Sequence, residues 1–495
     1  MERLGPLWRG TRSTVRRAVK LAALLALTVV ATIFVVRAVD SQRGPPLEPW
    51  HTFVPKELSR SELDKADLAQ YLRAEDAARL AVREQVTAKL PPADRVRFNR
   101  YYDASPIYPP RFAQDFNRTY VLEPKGEPAG AAVFLHGLTD SPYSHRHLAQ
   151  LYADRGFIAI VLRLPGHGTV PGALTRTDYE DWIAATRLAM REARKRVGPG
   201  KPVHVLGYSN GGALALMHAL DALDDPALVR PDRIVLLSPM VGVTEFARFA
   251  GLAGLPAIFP AFAKAAWLNI IPEFNPFKYN SFPVHAARQS FLLTQALQAN
   301  IERHSRAGRL AGLAPVLTFQ SVLDHTVSTR AVIEQLHARL DDNGSELVLF
   351  DINRNSTFEQ LLTRRADTAL SRLLPPAPRR FRTAVITNAA PDSNAVEIRE
   401  TLAGATQETV RPISAPYPAD VYSLSHVALP FPLSDGLYGL EPDPADAFGI
   451  RLGDIAARGE YGSLVVGMDM LVRMSSNPFF PYLAERVTAG LPPAR

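Results

Sequence analysis

Five residues, Gly207-Tyr208-Ser209-Asn210-Gly211, limit what this chain can fold into more than any other stretch. They follow the apolar run Val203-His204-Val205-Leu206 and precede Gly212-Ala213-Leu214-Ala215-Leu216-Met217. The first run reads as a buried strand and the second as a helix. A strand that enters a helix through G-x-S-x-G must turn sharply, and the turn leaves no room for side chains two residues either side of the serine. The bend pushes the Ser209 hydroxyl out beyond the sheet edge. The bland alternative is a glycine-rich turn and nothing more. The flanking elements and the partners identified below weigh against it.

The surrounding sequence repeats the same alternation. Arg118 to Glu123, Ala131 to Leu135, Phe157 to Leu162, Arg233 to Leu237, Ala314 to Gln320 and Glu346 to Phe350 read as strands. His147 to Arg155, Asp178 to Val197 and Ser328 to Leu340 read as helices between them. Strands alternating with helices imply βαβ units and a doubly wound, mostly parallel sheet of the α/β class. Sites in such sheets lie at the carboxyl ends of the strands, so the informative loops are those that leave strands.

Two stretches break the rhythm. Residues 241–313 are rich in Phe, Ala and Pro, and read as a helical lid whose apolar face lines a pocket, or as an insertion that only packs on itself. Residues 353–420 read as a second insertion, with a Pro/Arg-rich stretch and an apolar run at Thr383 to Thr387. Ser59 to Leu90 reads as one or two amphipathic helices.

Charge is concentrated at one end. Residues 1–20 carry six basic side chains against Glu2, so +5 of the formal +7 sits there. The body carries no basic stripe and no nucleic-acid motif, so no nucleic-acid partner is expected. Leu21 to Val36 is uncharged and apolar, and Ala38 and Val39 extend it past Arg37 to give residues 21–39. A signal anchor, a cleaved signal peptide and a buried core helix compete for this stretch. A basic flank is unlike a core element. The first two readings both put the body across a membrane from the basic end, on the periplasmic or extracellular side. There is no cysteine, which excludes disulfides, thiolate metal sites and a cysteine nucleophile.

A serine hydroxyl is a weak nucleophile at neutral pH and needs a base, itself oriented by an acid. For a serine on a strand-to-helix turn, the acid and then the base follow in chain order. Asp324 follows the strand ending at Gln320 and is the candidate acid, with Asp351 in reserve. His426 is the candidate base, because no histidine follows it. His325, next to the acid, is not favoured as base. Two backbone N–H donors should face the developing oxyanion. Asn210, after the serine, supplies one, and Leu138 in His136-Gly137-Leu138 supplies the other. His136, Asp140, His145 and His147 lack a metal-ligand spacing and read as loop polarity, so neither a metal nor a cofactor is expected. Gly166-His167-Gly168 lacks the lysine and spacing of a phosphate loop and reads as a tight turn.

His136-Gly137-Leu138, Arg163-Leu164-Pro165-Gly166-His167-Gly168 and Gly207-Tyr208-Ser209-Asn210-Gly211-Gly212 occur in that order. Together they resemble the α/β-hydrolase superfamily, nearest its monoacylglycerol lipase, lysophospholipase and serine aminopeptidase-like group. The resemblance covers about Arg118 to Asp351. It implies a serine hydrolase with Ser209, Asp324 and His426 as triad and Leu138 and Asn210 as oxyanion donors. It also implies carboxylic-ester cleavage, with a lipid-like ester as substrate. A peptidase or amidase on the same triad, and a non-catalytic binding module at the cell envelope, are the rival expectations. The chain departs from the family in its membrane-directed N-terminus, its extension and the long separation of Asp324 from His426. The expected organisation is a basic segment (1–20), an anchor (21–39), a linker and helical extension (40–117), core (118–240), lid (241–313), core (314–352), a second insertion (353–420), and a histidine loop with tail (421–495).

Overall fold

The buried apolar runs are strands of one sheet, joined through crossovers where they pair in parallel. The computed structural model describes residues 7–242, 254–356, 369–419, 421–453 and 473–494. Parts of the expected basic segment, lid, second insertion and tail therefore lie outside the described residues. The strands are β1 (Tyr120–Leu122), β2 (Gly130–Leu135), β3 (Phe157–Leu162), β4 (Val203–Tyr208) and β5 (Arg233–Leu237), then β6 (Val316–Ser321), β7 (Glu346–Phe350), β8 (Arg382–Asn388), β9 (Val396–Thr401) and β10 (Thr409–Ile413). They form one ten-stranded sheet in the order β1-β3-β2-β4-β5-β6-β7-β8-β9-β10. β2 to β8 pair in parallel; β1 and β9 run antiparallel to them, and β10 at the far edge pairs antiparallel with β9. β2, β3, β4 and β6 are buried along their whole length, as parallel strands covered on both faces must be.

The main helices are α1 (Leu7–Ser41), α2 (Leu68–Gln85), α3 (Arg146–Ala153), α4 (Tyr179–Val197), α5 (Asn210–Asp224), α6 (Val284–Arg306) and α7 (Phe480–Thr488). α4 shows why these segments are helices. Asp178 N–H donates to the Asp181 carboxylate at its start, and Gly198 ends it with φ 74°. Arg194, Lys195 and Arg196 sit in its last turn, where the helix dipole favours cations. α4, α5 and α6 cover one face of the sheet through Trp182, Leu188, Leu214, Leu216, Leu293 and Leu297. α3 and α7 cover the other through Leu148, Tyr152, Phe480 and Leu483 against Phe134 and Phe350. Each such side chain contributes about 1.5–3 kcal/mol by leaving water.

Two expected boundaries change. The range read as a lid, 241–313, contains α6, whose Leu293, Leu297 and Ile301 belong to the main core. Its apolar stripe faces α5 rather than open space, which leaves the stretch before it (254–283) as the described part of the expected lid that lies outside this core layer. The range read as a second insertion, 353–420, contains β8, β9 and β10, which carry the sheet outward from β7. The extra strands account for the long separation of Asp324 from His426. They are threaded between the two residues without separating them in space. α1 contains a 27-residue stretch, Thr14–Asp40, with an 18-residue window of mean hydropathy 2.5, long and apolar enough to cross a membrane.

Candidate active site

The sharp turn after β4 is built by packing on all sides of Ser209. Ser209 has φ 53°, unusual for a residue with a side chain. Its N–H donates to Leu237 O (3.0 Å), and its carbonyl accepts from Met240 N–H (2.9 Å), so the end of β5 holds the turn. A Cβ on Gly211 would stand 1.9 Å from Leu135 O, and one on Gly207 would stand 2.3 Å from Gly211 O. Neither position accepts a side chain. Strain of this kind costs about 1–3 kcal/mol and persists only where the surroundings over-determine it.

The structure brings Ser209, Asp324 and His426 together. His426 Nε2 lies 3.0 Å from Ser209 Oγ. His426 Nδ1 lies 2.7 Å from Asp324 Oδ2. With the proton on Nδ1 donated to the carboxylate, Nε2 is free to accept from the serine hydroxyl. Asp324 Oδ1 accepts from Thr326 N–H (2.9 Å) and Val327 N–H (3.1 Å), and Oδ2 also accepts from Gln320 Nε2 (3.0 Å). Such donors fix the orientation of the carboxylate toward the imidazole. All three residues are buried, so little water competes for these bonds. The His426 loop is fixed by Ser321 Oγ donating to Leu424 O (3.1 Å), and the imidazole lies 5.4 Å from the Tyr208 ring at 31°.

Asp351, the reserve acid, accepts from Thr387 Oγ1 (3.1 Å) and Arg354 (3.4 Å). Burial raises its carboxyl above the usual range, and the Arg354 charge opposes that. His325 is exposed. The loop after β2 meets the serine: a Cβ on Gly137 would lie 3.3 Å from Ser209 Cβ. Leu138 follows Gly137 on that loop and is half-buried. Asn210 opens α5, and its side-chain amide, fully buried, has no hydrogen-bond partner among the described residues.

The other polar residues of the loop have structural partners. His136 Nε2 accepts from Leu164 N–H (3.0 Å) while Nδ1 bonds Gly137 O (2.8 Å). Burial, then the neighbouring His167, hold its pKa well below the usual histidine value. His145 bonds Leu135 O (2.8 Å), and Asp140 accepts weakly from Gly137 N–H (3.4 Å). His147 and Arg146 bond Asp435, as does the Tyr143 hydroxyl (2.9 Å). Burial alone would raise Asp435; the His147 bond and the Arg146 charge instead hold its carboxyl below the normal range. Among the described residues no group of three His, Cys, Asp or Glu is placed to hold a metal ion.

Sequence reasoning missed four supports. Gln320 orients the acid, and Tyr208 backs the imidazole. Glu57 and Glu75, from the N-terminal extension, flank the buried Arg163 guanidinium. Glu57 binds it at two points (2.9 and 2.8 Å), and Glu75 lies 3.1 Å from its Nε. Arg163 Nη1 in turn donates to His167 O (2.7 Å), tying the loop after β3. An arginine opening that loop was a legible signal; its partners were not, because they lie 106 and 88 positions upstream.

The sequence pattern of the Alpha/beta hydrolase family matches residues 132–377. The chain is 28% identical over 198 residues to a thermostable monoacylglycerol lipase of Bacillus sp. (strain H-257), covering 39% of this chain and 70% of that protein. Among solved structures it is similar to one reported for the metagenome-derived lipolytic enzymes LipS and LipT (23% identity, 47% of this chain, 86% of that chain, TM-score 0.37). It is also similar to the monoacylglycerol lipase of Paleococcus ferrophilus (18% identity, 47% and 87%, TM-score 0.35).

Proposed function

Because the chain belongs to the α/β-hydrolase superfamily, we propose that it is a serine hydrolase that cleaves carboxylic esters through an acyl-enzyme on Ser209. The observation that carries this reading is the continuous bond line from Ser209 Oγ through His426 to Asp324, 3.0 Å and 2.7 Å long. Ser209 Oγ attacks the ester carbonyl as its proton passes to His426 Nε2. Asp324 holds the imidazolium by its Nδ1–H. The N–H groups of Leu138 and Asn210 face the carbonyl oxygen as it gains charge, an interaction of about 3–4 kcal/mol per donor in the transition state. The tetrahedral intermediate collapses, the C–O bond to the alcohol breaks, and His426 protonates the leaving oxygen. A water then gives its proton to His426 and attacks the acyl carbonyl, releasing the acid and restoring Ser209.

The substrate is a lipid-like ester of monoacylglycerol or lysophospholipid type, a reading supported by the curated relative. The 254–283 stretch acts as the cap and residues 40–117 as a brace on the core. α1 crosses a membrane between Leu21 and Asp40. Its basic end lies on the cytoplasmic side and the catalytic body on the other.

The test is labelling with a fluorophosphonate probe together with p-nitrophenyl ester turnover. The purified chain takes up the probe at Ser209, and Ser209→Ala loses both labelling and about 10⁴-fold or more of the turnover. Retained turnover in Ser209→Ala removes the mechanism. Faster cleavage of aminoacyl amides than of acyl esters removes the ester assignment while leaving the serine.

A further inference from the structure

One face of the membrane helix is not free. Ile33, Phe34, Arg37 and Ala38 are covered, while the residues around them are exposed. What covers them is the cap. The Phe34 ring meets Phe259 edge-on at 6.3 Å and Phe262 at 6.5 Å. Arg37 donates to Trp267 O (2.8 Å) and to Asp40 (2.9 Å), and Gln42 donates to Ala261 O (2.9 Å). Further out, Lys264 donates to Gly44 O (3.3 Å).

These contacts fix a depth. Lys20 is the last cation before the uncharged stretch. A helix rises about 1.5 Å per residue and the hydrocarbon is about 30 Å thick, so about 20 residues from Leu21 reach the far boundary near Asp40. Phe34 then lies about 9 Å inside that boundary and Arg37 about 4–5 Å inside it, within reach of the headgroups by snorkelling. The cap backbone at Ala261 and Trp267 is level with Arg37 to Gln42. The rings of Phe259 and Phe262 descend from it to Phe34. Phe259 is 54% exposed, so protein leaves more than half of an aromatic side chain placed at hydrocarbon depth uncovered. Amphipathic segments that lie in a bilayer interface bury their apolar face by a similar 5–10 Å. Lys264, on the same segment, is level with the headgroups.

The other end of the cap reaches the site. Tyr279 N–H donates to Thr139 O (2.7 Å), next to Leu138, and the Tyr279 hydroxyl accepts from Thr169 N–H (2.7 Å). One short segment thus runs from the membrane helix to the loop that faces Ser209.

We propose that the cap is seated in the bilayer, with the Phe259 and Phe262 rings inserted beside the anchor helix, and that the site draws its ester from that leaflet. The proposal rests on the reading of α1 as a membrane span. Its occupant is lipid; a second copy of the chain over Phe259 is the alternative the test separates.

The chain has no cysteine, so single cysteines carry a nitroxide without background. Full-length Phe259→Cys is reconstituted in nanodiscs of phosphatidylcholine and phosphatidylglycerol. Leu25→Cys serves as a hydrocarbon reference and Leu402→Cys as a water reference, since both side chains are exposed. Collision with oxygen is compared with collision with a water-soluble nickel chelate. The label at 259 should favour oxygen, as at 25, and not the chelate, as at 402. A label that reads like 402, or one shielded from both reagents as a protein contact would be, overturns the proposal.

A second arm reads function. Phe259→Asp should lower kcat/KM for a monoacylglycerol held in the nanodisc about tenfold or more, with turnover of a short water-soluble ester changed less than about twofold. Equal loss on both substrates, or no loss on either, counts against membrane seating. If the wild-type chain cleaves neither ester yet the 259 label reads as hydrocarbon, the hydrolase reading fails and the seating stands. Isolation of the protein lacking residues 1–38 by intact mass removes the anchor and the proposal with it.

Discussion

Ser209 is held by its neighbours as much as by its own chemistry. Its φ of 53° is available only because Gly207 and Gly211 let three backbones converge, and Gly211 is the tighter of the two against its neighbours. In Gly211→Ala the new Cβ meets Leu135 O at 1.9 Å and Leu135 C at 2.4 Å, both backbone atoms of a central strand. α5 must move, at about 1–3 kcal/mol of stability. A displacement near 1 Å at the nucleophile costs on the order of 10²-fold in rate. Urea denaturation and ester turnover check both effects; a variant with wild-type kcat would show that the turn is not strained as described. Gly137→Ala is the contrast, since its new contacts fall at 3.3–3.4 Å on side-chain atoms. It should fold normally. The need for glycine two positions either side of Ser209 was readable from spacing. Which backbone atom each glycine avoids was not, because Leu135 lies on a different strand.

The elements divide by how local their signal is. β2 to β7 and α4 were readable because buried parallel strands are short apolar runs and α4 carries both a cap and a stop. α6 misled, since its Phe- and Ala-rich approach resembles a lid. Its stripe of Leu293, Leu297 and Ile301 is equally suited to a core layer, and only contact with α5 decides between the two. The extension before β1 likewise conceals its purpose. α2 supplies Glu75, whose carboxylate accepts from Thr119 N–H (3.0 Å) and Thr119 Oγ1 (2.6 Å) and faces Arg163. Burial raises its carboxyl pKa, and the Arg163 charge pulls it back. Removing one partner of a buried ion pair leaves the other charge uncompensated, which costs about 3–5 kcal/mol. Glu75→Ala should therefore lose about that much in urea denaturation, and the loop after β3 should loosen in hydrogen exchange. A loss under about 1 kcal/mol would mean that Glu57 alone compensates Arg163.

Buried histidines set the behaviour of the folded body in acid. Burial lowers His51, His145 and His218 to about 4, and His167, His204 and His337 to about 3. Their folded values lie below the unfolded value near 6.5, so the unfolded chain takes up protons first as pH falls. The stability they contribute is complete above about pH 6.5 and is lost as pH drops from there toward 3–4. Each histidine costs about 1.4 kcal/mol per pH unit, so the six together lose about 8 kcal/mol per unit. Glu75, Asp140, Glu273 and Asp351 offset part of this. Burial raises their carboxyl pKa values, so protonating them in acid favours the folded state. A domain's total stability is about 5–15 kcal/mol. Calorimetry should show Tm level above pH 7 and falling steeply by about pH 5. A Tm unchanged from pH 7 to pH 5 would mean that these imidazoles reach water.

The amino-acid order alone determined the α/β alternation, the serine on its turn, a candidate acid and base in chain order, and an apolar stretch at the basic end. Each is a local property: periodicity, the steric needs of one bend, or a run without charge. Tertiary structure decided that His426 reaches Ser209 across three inserted strands, that α6 belongs to the core, and that the 254–283 stretch lies against α1. All of these depend on contacts between residues far apart in the chain, from 79 positions for Asn300 and Asp221 to 230 for Arg37 and Trp267. A side chain's environment there is made by packing, and no window of sequence contains it.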